Sequence, residues 1–456
     1  MNKKIHFIGI GGIGVSALAR YYLEKGFSVS GSDLVDSEIT KAIKEKGAVV
    51  FIGKHKAESL PKGTDLVVFS PAVRFDNPEL MEAKKLKIKT QSYPEALGEL
   101  TKNHFTIAIS GAHGKSTTTA MIGLLLIKAG LDPTVIVGTK VGEFGDSALS
   151  NAEGSNCRVG KSKYLIIEAC EHEESFLNYW PKIAVITNIE REHLDYYKNL
   201  NNILKAFKKF ILHLPKDGFL VANKEDKNIK KLQIANCKFQ IKGYSLRQKE
   251  AKKIKKILQI PGNHNIYNAL AALSVARILN IPDKVSFNSI SQYQGAWRRF
   301  DIKKGKVFGS KEIILLNDYA HHPTEIKALF SAIQEKFKNK KIWVIFQPHQ
   351  YQRTFYLFKD FVKVLSGFKG ERLILTDIYD VAGREEESIK KSVSSEKLVK
   401  EIKSKKKKEG FVIYLPGFKE ILKFLEKNLK GGEVLVIMGA GDIYNLNNFI
   451  HLTESI

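Results

Sequence analysis

Short apolar runs alternate along this chain with longer segments whose apolar positions recur at helical spacing. The first run, residues 5–10, passes into Gly9-Ile10-Gly11-Gly12-Ile13-Gly14, and a helical period then follows through Val15, Leu18, Ala19, Tyr22 and Leu23. Further runs at 27–30, 49–52 and 66–69 carry the alternation to about Asn103. Strand, glycine turn, helix, strand, acid is the opening of a doubly wound nucleotide-binding fold. Its glycines let backbone N–H groups approach a diphosphate at a helix N-terminus. Asp33, after the second strand, sits where a ribose hydroxyl is accepted, and the fourth run leads into Ser70.

The alternation restarts at residues 105–109, which lead into Ser110-Gly111-Ala112-His113-Gly114-Lys115-Ser116-Thr117 and a helix rich in Leu and Ile. Strand, glycine loop, Lys-Ser, helix is the arrangement that cradles a nucleoside triphosphate. Backbone donors wrap the phosphates, Lys115 reaches the outer ones, and the Ser116 or Thr117 hydroxyl meets Mg²⁺. The loop is a contracted form, because Ile109 stands where the full spacing has a glycine. Two such units about 100 residues apart imply two domains holding two nucleotides.

Strands at 164–167 and 183–186 end in Glu168-Ala169-Cys170-Glu171 and in a polar segment containing His193. A magnesium ion bridging phosphates takes hard oxygen ligands, which suits Glu168, and His193 serves a second metal. Residues 238–260 are rich in lysine and show no assignable pattern. Pro261-Gly262-Asn263-His264-Asn265-Ile266-Tyr267-Asn268 then opens an Ala-rich helix, whose first-turn amides either read a purine edge or cap the helix. A third alternating section carries strands at 313–316, 342–346, 373–376 and 434–438.

Length and composition narrow the class. At about 150 residues per domain, 456 residues predict three domains. An apolar content of 43% excludes wholesale disorder. No apolar run reaches the roughly 18 residues of a membrane span. The net charge of +25 suggests a nucleic-acid partner, but 62 of the 73 basic residues are Lys and only 11 are Arg. The dense runs at 249–256 and 403–408 lack interleaved aromatics, so they read as solvated faces, and no nucleic-acid partner is expected. Three cysteines without metal or redox spacing fit a reducing compartment. Lys3 and Lys4 before an apolar stretch ending in Ala17-Leu18-Ala19 imitate a signal peptide, yet the glycines there have their own mechanism; a cytoplasmic protein is expected.

Eight ordered segments together resemble the Mur ligases: 9–14, 111–119, 168–171, 188–195, 262–268, 298–300, 318–325 and 346–354. Asp318-Tyr319-Ala320-His321-His322-Pro323-Thr324-Glu325 and Phe346-Gln347-Pro348-His349 favour the alanine-adding branch. The resemblance implies an α/β protein of three domains. Residues 1–104 form a Rossmann-like domain for UDP-N-acetylmuramate, 105–296 a central P-loop-type ATPase domain with a mainly parallel sheet, and 297–456 a Rossmann-like domain closing over ATP and the amino acid. It implies that ATP phosphorylates the lactyl carboxylate of the sugar and that the amine of L-alanine attacks the acyl phosphate.

By the same resemblance, Gly11, Gly12, Gly14, Asp33 and Ser70 belong to the sugar nucleotide. Gly111, Ala112, His113, Gly114, Lys115, Ser116 and Thr117 hold ATP phosphates, with Mg²⁺ on Ser116, Glu168 and His193. His264 and Asn268 resemble adenine contacts, Asp318 a ribose contact and Arg299 a phosphate contact, while Tyr319, His321 and Arg353 lie on the amino-acid side. The chain departs from the family pattern at Cys170, where an Asp is usual, at Asn317, and at Gln350, where an Arg is usual. A recycling ligase that attaches a preformed peptide to the same sugar nucleotide is the alternative within the family. A nicotinamide-dependent dehydrogenase would leave residues 111–119 unexplained.

Overall fold

The computed structural model describes residues 3–145, 154–232, 234, 237–309, 311–381, 386–406, 411–450 and 453–454. Three sheets organise them. The first contains β1 (Lys4–Ile8), β2 (Ser28–Asp33), β3 (Val49–Ile52), β4 (Leu66–Phe69) and β5 (Lys89–Ser92) in the order β3-β2-β1-β4-β5, all parallel. The order reverses between β1 and β4, so a ligand crevice opens beyond their C-terminal ends.

The second sheet is built from β6 (Phe105–Ser110), β7 (Thr134–Val141), β8 (Ser155–Arg158), β9 (Tyr164–Glu168), β10 (Ile183–Ile186), β11 (Phe219–Asn223) and β12 (Gln240–Tyr244). Its order is β12-β11-β10-β6-β9-β7-β8, and only the β7–β8 pair is antiparallel. The third comprises β13 (Asp301–Val307), β14 (Lys311–Asp318), β15 (Ile342–Phe346), β16 (Arg372–Leu375), β17 (Val412–Tyr414), β18 (Val434–Met438) and β19 (Thr453–Glu454). It is ordered β17-β16-β15-β18-β14-β13-β19, parallel through β14 and antiparallel at β13.

The central strands are apolar throughout because helices cover both faces of a parallel sheet. Every residue of β10, β15 and β18 is buried. In the third sheet Ile345, Ile374, Leu435 and Ile437 pack with Ile421 and Leu425 of helix Gly417–Asn428.

Strand ends depart from the sequence reading where backbone geometry overrides hydrophobicity. The first strand stops at Ile8, two residues early, because Gly9 turns at φ +78°. The second runs on to Asp33. The lysine-rich 238–260 segment forms β12 and helix Lys249–Ile257, which buries only Ala251 and Ile254 while Lys252, Lys253, Lys255 and Lys256 are exposed. That exposure is the solvated face expected of the first lysine run; residues 407 and 408 of the second lie outside the described residues. Among the described residues, no helix is long and apolar enough to cross a membrane.

The chain gathers into two compact units. One comprises Met1–Glu192, Tyr196–Leu258 and Ile266–Tyr293 and contains the first two sheets; the other comprises His193–Asp195, Gln259–Asn265 and Gln294–Ile456 and contains the third.

Candidate functional site

Beyond β1, residues 9–12 turn into helix Ile13–Glu24, with Gly12 as N-cap and no side-chain cap. A helix start leaves its first N–H groups without intrahelical partners. Those of Ile13, Gly14 and Val15 lie at the positive end of the helix dipole, where an anion is favoured. The preceding amides are engaged internally. Gly9 and Ile10 N–H donate to Ser32 O at 2.8 and 3.0 Å, Gly11 N–H to Asp33 Oδ2 at 2.8 Å, and Gly12 N–H to Gly9 O at 3.1 Å.

Asp33 also accepts from Val35 N–H at 3.2 Å, so its carboxylate shapes the loop as well as standing where a ribose was expected. Gly14 has no room for a side chain: a Cβ would lie 2.8 Å from the Tyr93 ring. Ser70 stands across the switch point, its N–H donating to Ile8 O at 2.9 Å and its hydroxyl accepting from Ala72 N–H.

The central loop is clamped from β10, the strand beside β6. Asn188 Oδ1 accepts from His113 N–H and its amide donates to His113 O, both at 2.9 Å. Thr187 Oγ donates to the same carbonyl at 2.6 Å, and Ala112 N–H donates to Asn188 O at 3.1 Å. Gly111, at φ +136°, brings its Cα so close to Thr187 Oγ that a Cβ would collide with it. Gly114 caps helix Lys115–Lys128 in the left-handed region, where a Cβ would lie 2.5 Å from Asn268 Oδ1. Thr118 Oγ donates to that same Asn268 oxygen at 3.2 Å. Asn268 is thus brought to the loop.

Lys115 Nζ donates to Gly111 O at 2.6 Å and Ala112 O at 3.2 Å and lies 3.0 Å from Glu171 Oε2. The two side chains are 13% and 3% exposed, so this is a buried ion pair. Burial pulls the ammonium pKa down, but Glu171 above all, then Cys170 and Glu168, outweigh it and raise it above the ordinary lysine value. Lys115 stays charged. His113 Nε2 lies 3.5 Å from Glu190 Oε2.

Ser116 and Thr117 are buried on the first helical turn. Glu168 ends β9 in register with Ile109 of β6, and its Oε2 accepts Gly138 N–H from β7 at 2.9 Å. A Cβ at Gly138 would come within 2.7 Å of that oxygen, so the glycine leaves room for the carboxylate. A hydroxyl and a carboxylate at the ends of neighbouring elements are hard oxygen donors that fit Mg²⁺. Cys170, in place of an Asp, is exposed. His193 (φ +53°) and His264 fall in the second compact unit, whereas Glu168 and Asn268 fall in the first.

In the second unit, Asp318 ends β14 and accepts Ala320 N–H and Phe300 N–H, each at 2.9 Å. Burial pushes its carboxyl up to about 6, with Arg299 pulling the other way. Two adjacent arginines diverge here. Arg298 is buried against the Trp297, Tyr319 and Tyr444 rings and donates to Gly439 O and Gly441 O at 2.6 and 3.1 Å. Arg299, half-buried, lies 4.8 Å over Tyr319.

His321 meets Tyr319 edge to face at 5.4 Å and His349 at 5.8 Å. Its Nδ1 lies 2.9 Å from Tyr319 O and 3.3 Å from Glu325. Arg353 Nη1 donates to His349 O at 3.0 Å and lies 3.0 Å from His349 Nδ1, and His349 stacks on Tyr379. Tyr319, His321 and Arg353 therefore converge through His349, which the sequence names within a motif but gives no role, and Tyr379, which it does not name. His349, just past the apolar β15, carried a signal; Tyr379 arrives from the loop after β16 and carried none. Gln350 (φ +71°) precedes helix Tyr351–Tyr356 and donates its N–H to Tyr379 O.

Residues 4–105 match the family model described as Mur ligase family, catalytic domain; 109–276 match the Mur ligase middle domain and 298–441 the Mur ligase, glutamate ligase domain. The chain is 40% identical to the UDP-N-acetylmuramate–L-alanine ligase of Clostridium novyi, covering 98% of this chain and 96% of that protein. Among solved structures, UDP-N-acetylmuramate-alanine ligase from Thermotoga maritima matches with a TM-score of 0.78 and 27% identity over 98% of each chain. A murein peptide ligase from Psychrobacter arcticus matches with a TM-score of 0.71 over 98% of each, at 20% identity, a likeness of fold alone.

Proposed function

Because the chain belongs to the Mur ligase family, we propose that it joins L-alanine to the lactyl carboxylate of UDP-N-acetylmuramate at the expense of ATP, yielding UDP-N-acetylmuramoyl-L-alanine, ADP and phosphate for peptidoglycan precursor synthesis. The 40% identity to an alanine ligase, extending over 98% of the chain, carries this reading. A carboxylate is a poor electrophile, so it must first acquire a leaving group. Transfer of the γ-phosphoryl of ATP to a carboxylate oxygen does this. The alanine amine then attacks the carbonyl carbon, loses a proton, and phosphate departs as the amide forms.

The three domains are taken as 1–104, 105–296 and 297–456. In the first, the N–H groups of Ile13, Gly14 and Val15 receive the diphosphate of the sugar nucleotide, Gly11 and Gly12 keep the loop low, Asp33 sets its shape and Ser70 flanks it. In the second, the amides of residues 111–117 wrap the ATP phosphates. Lys115 turns from Glu171 to the β- and γ-phosphates, and its positive charge follows the phosphoryl group as it transfers.

Ser116 and Glu168 would hold Mg²⁺, and His193 would serve a second ion. When bound, these ions neutralise phosphoryl charge. Asn268, already against Gly114, reads adenine with His264, while Asp318 takes the ribose and Arg299 the transferred phosphoryl. Tyr319, His321 and Arg353 receive alanine, with Arg353 pairing its carboxylate. The setting is cytoplasmic, where ATP and the sugar nucleotide meet.

Phosphate release measured with UDP-N-acetylmuramate plus L-alanine, glycine, L-serine or a preformed peptide tests the reading. L-Alanine should give the highest kcat/KM, with no release when the sugar nucleotide is omitted. Preference for the peptide would transfer the protein to the recycling branch of the family.

A further inference from the structure

Beneath the N-terminal glycine loop lies a buried polar cluster that the proposed reaction leaves unused. Glu79, on the first turn of helix Pro78–Lys85, is fully buried, as is His6 on β1. Glu79 Oε2 lies 2.7 Å from His6 Nε2 and accepts Ser32 Oγ from β2 at 2.8 Å. Its Oε1 lies 2.7 Å from Nδ1 of His55, in the segment after β3, and His6 Nδ1 lies 2.9 Å from Ser30 Oγ. Burial alone would raise the Glu79 carboxyl, but its bonds to His6, Ser32 and His55 outweigh that and hold it below the ordinary carboxylate value.

A charged group in such a place is a poor device for stability, since apolar residues of similar volume fill buried space at least as well. What the cluster holds suggests another use. Ser32 is the residue whose carbonyl accepts both Gly9 and Ile10 N–H, and the next residue, Asp33, accepts Gly11 N–H. The end of β2 therefore anchors the glycine loop. Glu79 in turn ties that end to β1 and to the segment after β3.

We propose that Glu79 is a positioning residue for the sugar-nucleotide site, setting the glycine loop through Ser32 without touching the ligand. This rests on the assignment of UDP-N-acetylmuramate to that loop. In Glu79→Gln the volume is kept, but one oxygen becomes an amide donor facing groups that need an acceptor. The KM for UDP-N-acetylmuramate should rise about tenfold, while kcat and the KM values for ATP and L-alanine stay within about twofold. Ser32→Ala, which keeps the backbone carbonyl and removes the hydroxyl's bond to Glu79 along with its 3.1 Å contact to His55 Nδ1, should raise the same KM about threefold, and it decides the matter if Glu79→Gln does not fold.

Leu80→Ala empties part of the apolar core on the same helix and should lower Tm with no change in that KM. Gly12→Val is the direct probe of the loop, since Gly12 has an extended backbone and the nearest atoms to its Cβ would be Gly9 O, at 3.4 Å, and the Val15 side chain. If Gly12→Val raises the KM for the sugar nucleotide and neither Glu79→Gln nor Ser32→Ala does, Glu79 is merely structural and the proposal is overturned. If Gly12→Val leaves it unchanged as well, the assignment of the sugar nucleotide to this loop fails, and the proposal fails with it.

Discussion

Lys115→Met separates what the lysine does for the fold from what it does for the reaction. The substitution keeps most of the stem and removes the charge that lies 3.0 Å from Glu171, with both side chains almost wholly out of water. Breaking a buried pair from one side costs about 3–5 kcal/mol, because the remaining charge keeps its desolvation penalty and loses its partner. A loss at the low end of that range, about 3 kcal/mol, is expected. At about 2–4 °C per kcal/mol for units of this size, Tm should fall by roughly 6–12 °C.

The effect on chemistry is independent of that loss. Removing a preorganised cation from a developing phosphoryl charge should lower ATP-dependent phosphate release by about 100-fold or more. The double variant Lys115→Met/Glu171→Gln has no orphaned carboxylate and should recover most of the lost Tm, yet remain as inactive as the single variant. Thermal unfolding followed by circular dichroism and a coupled phosphate assay read the two effects, with UDP-N-acetylmuramate binding by calorimetry as the control that should persist. A single variant retaining more than about a tenth of the wild-type rate would refute the catalytic role. A double variant that stays as unstable as the single one would refute the ion-pair argument.

Other predictions follow from the same geometry. Arg353→Ala should lower kcat/KM for L-alanine about 30-fold or more, equivalent to about 2 kcal/mol, and an unchanged KM for alanine in steady-state kinetics would place the carboxylate elsewhere. Gln350→Arg should leave alanine use intact or improve it, because Gln350 already tolerates φ +71° and a second cation beside Arg353 favours the carboxylate. Asp318 has a raised carboxyl, about 6, so its ionised form, which only accepts hydrogen bonds, is lost as pH falls below that value. The KM for ATP should climb below about pH 6 and Asp318→Asn should flatten the profile, while the burial cost of the ionised carboxylate to stability is relieved in the same window. Anomalous scattering from crystals grown with Mn²⁺ and a non-hydrolysable ATP analogue should place metal beside Ser116 and Glu168; density elsewhere removes those residues from the metal site.

What could be read from the sequence was what the chain encodes locally. The two glycine loops, each between an apolar run and a helical period, are found where the pattern placed them, and so are β3, β4, β10, β15 and β18. Elements away from the sheet centres were hidden for physical reasons. β7 is interrupted by Gly138 and Lys140, and the glycine is there because Glu168 lies against it. β13 carries three lysines in seven residues, which periodicity alone reads as a polar loop. Helix Lys249–Ile257 buries two residues out of nine, too few to stand out among its lysines. Residues acting through sheet neighbours were hidden more deeply, because strand order is not a local property: nothing near Gly111 announces that Thr187 and Asn188 will clamp it.

The two glycine loops solve one problem with different chemistry. Each is fixed before any ligand arrives by the end of an adjacent strand, β2 in one case and β10 in the other. The N-terminal loop uses a carboxylate, Asp33, whose charge is offset by Gly11 and Val35 N–H. The central loop uses only neutral groups, the Thr187 hydroxyl and the Asn188 amide. The neutral clamp suits the triphosphate proposed for the central loop. A carboxylate clamp under a triphosphate would repel it and compete for Lys115, the sole lysine or arginine in residues 111–119. The acid that does face Lys115 is Glu171, and it comes from beyond β9, outside the loop's own clamp. It can thus hold the ammonium charged and in place without distorting the loop, and release it to the phosphates without unfastening the loop from β10. Separating the group that shapes the loop from the group that holds its lysine lets one be rigid while the other exchanges partners.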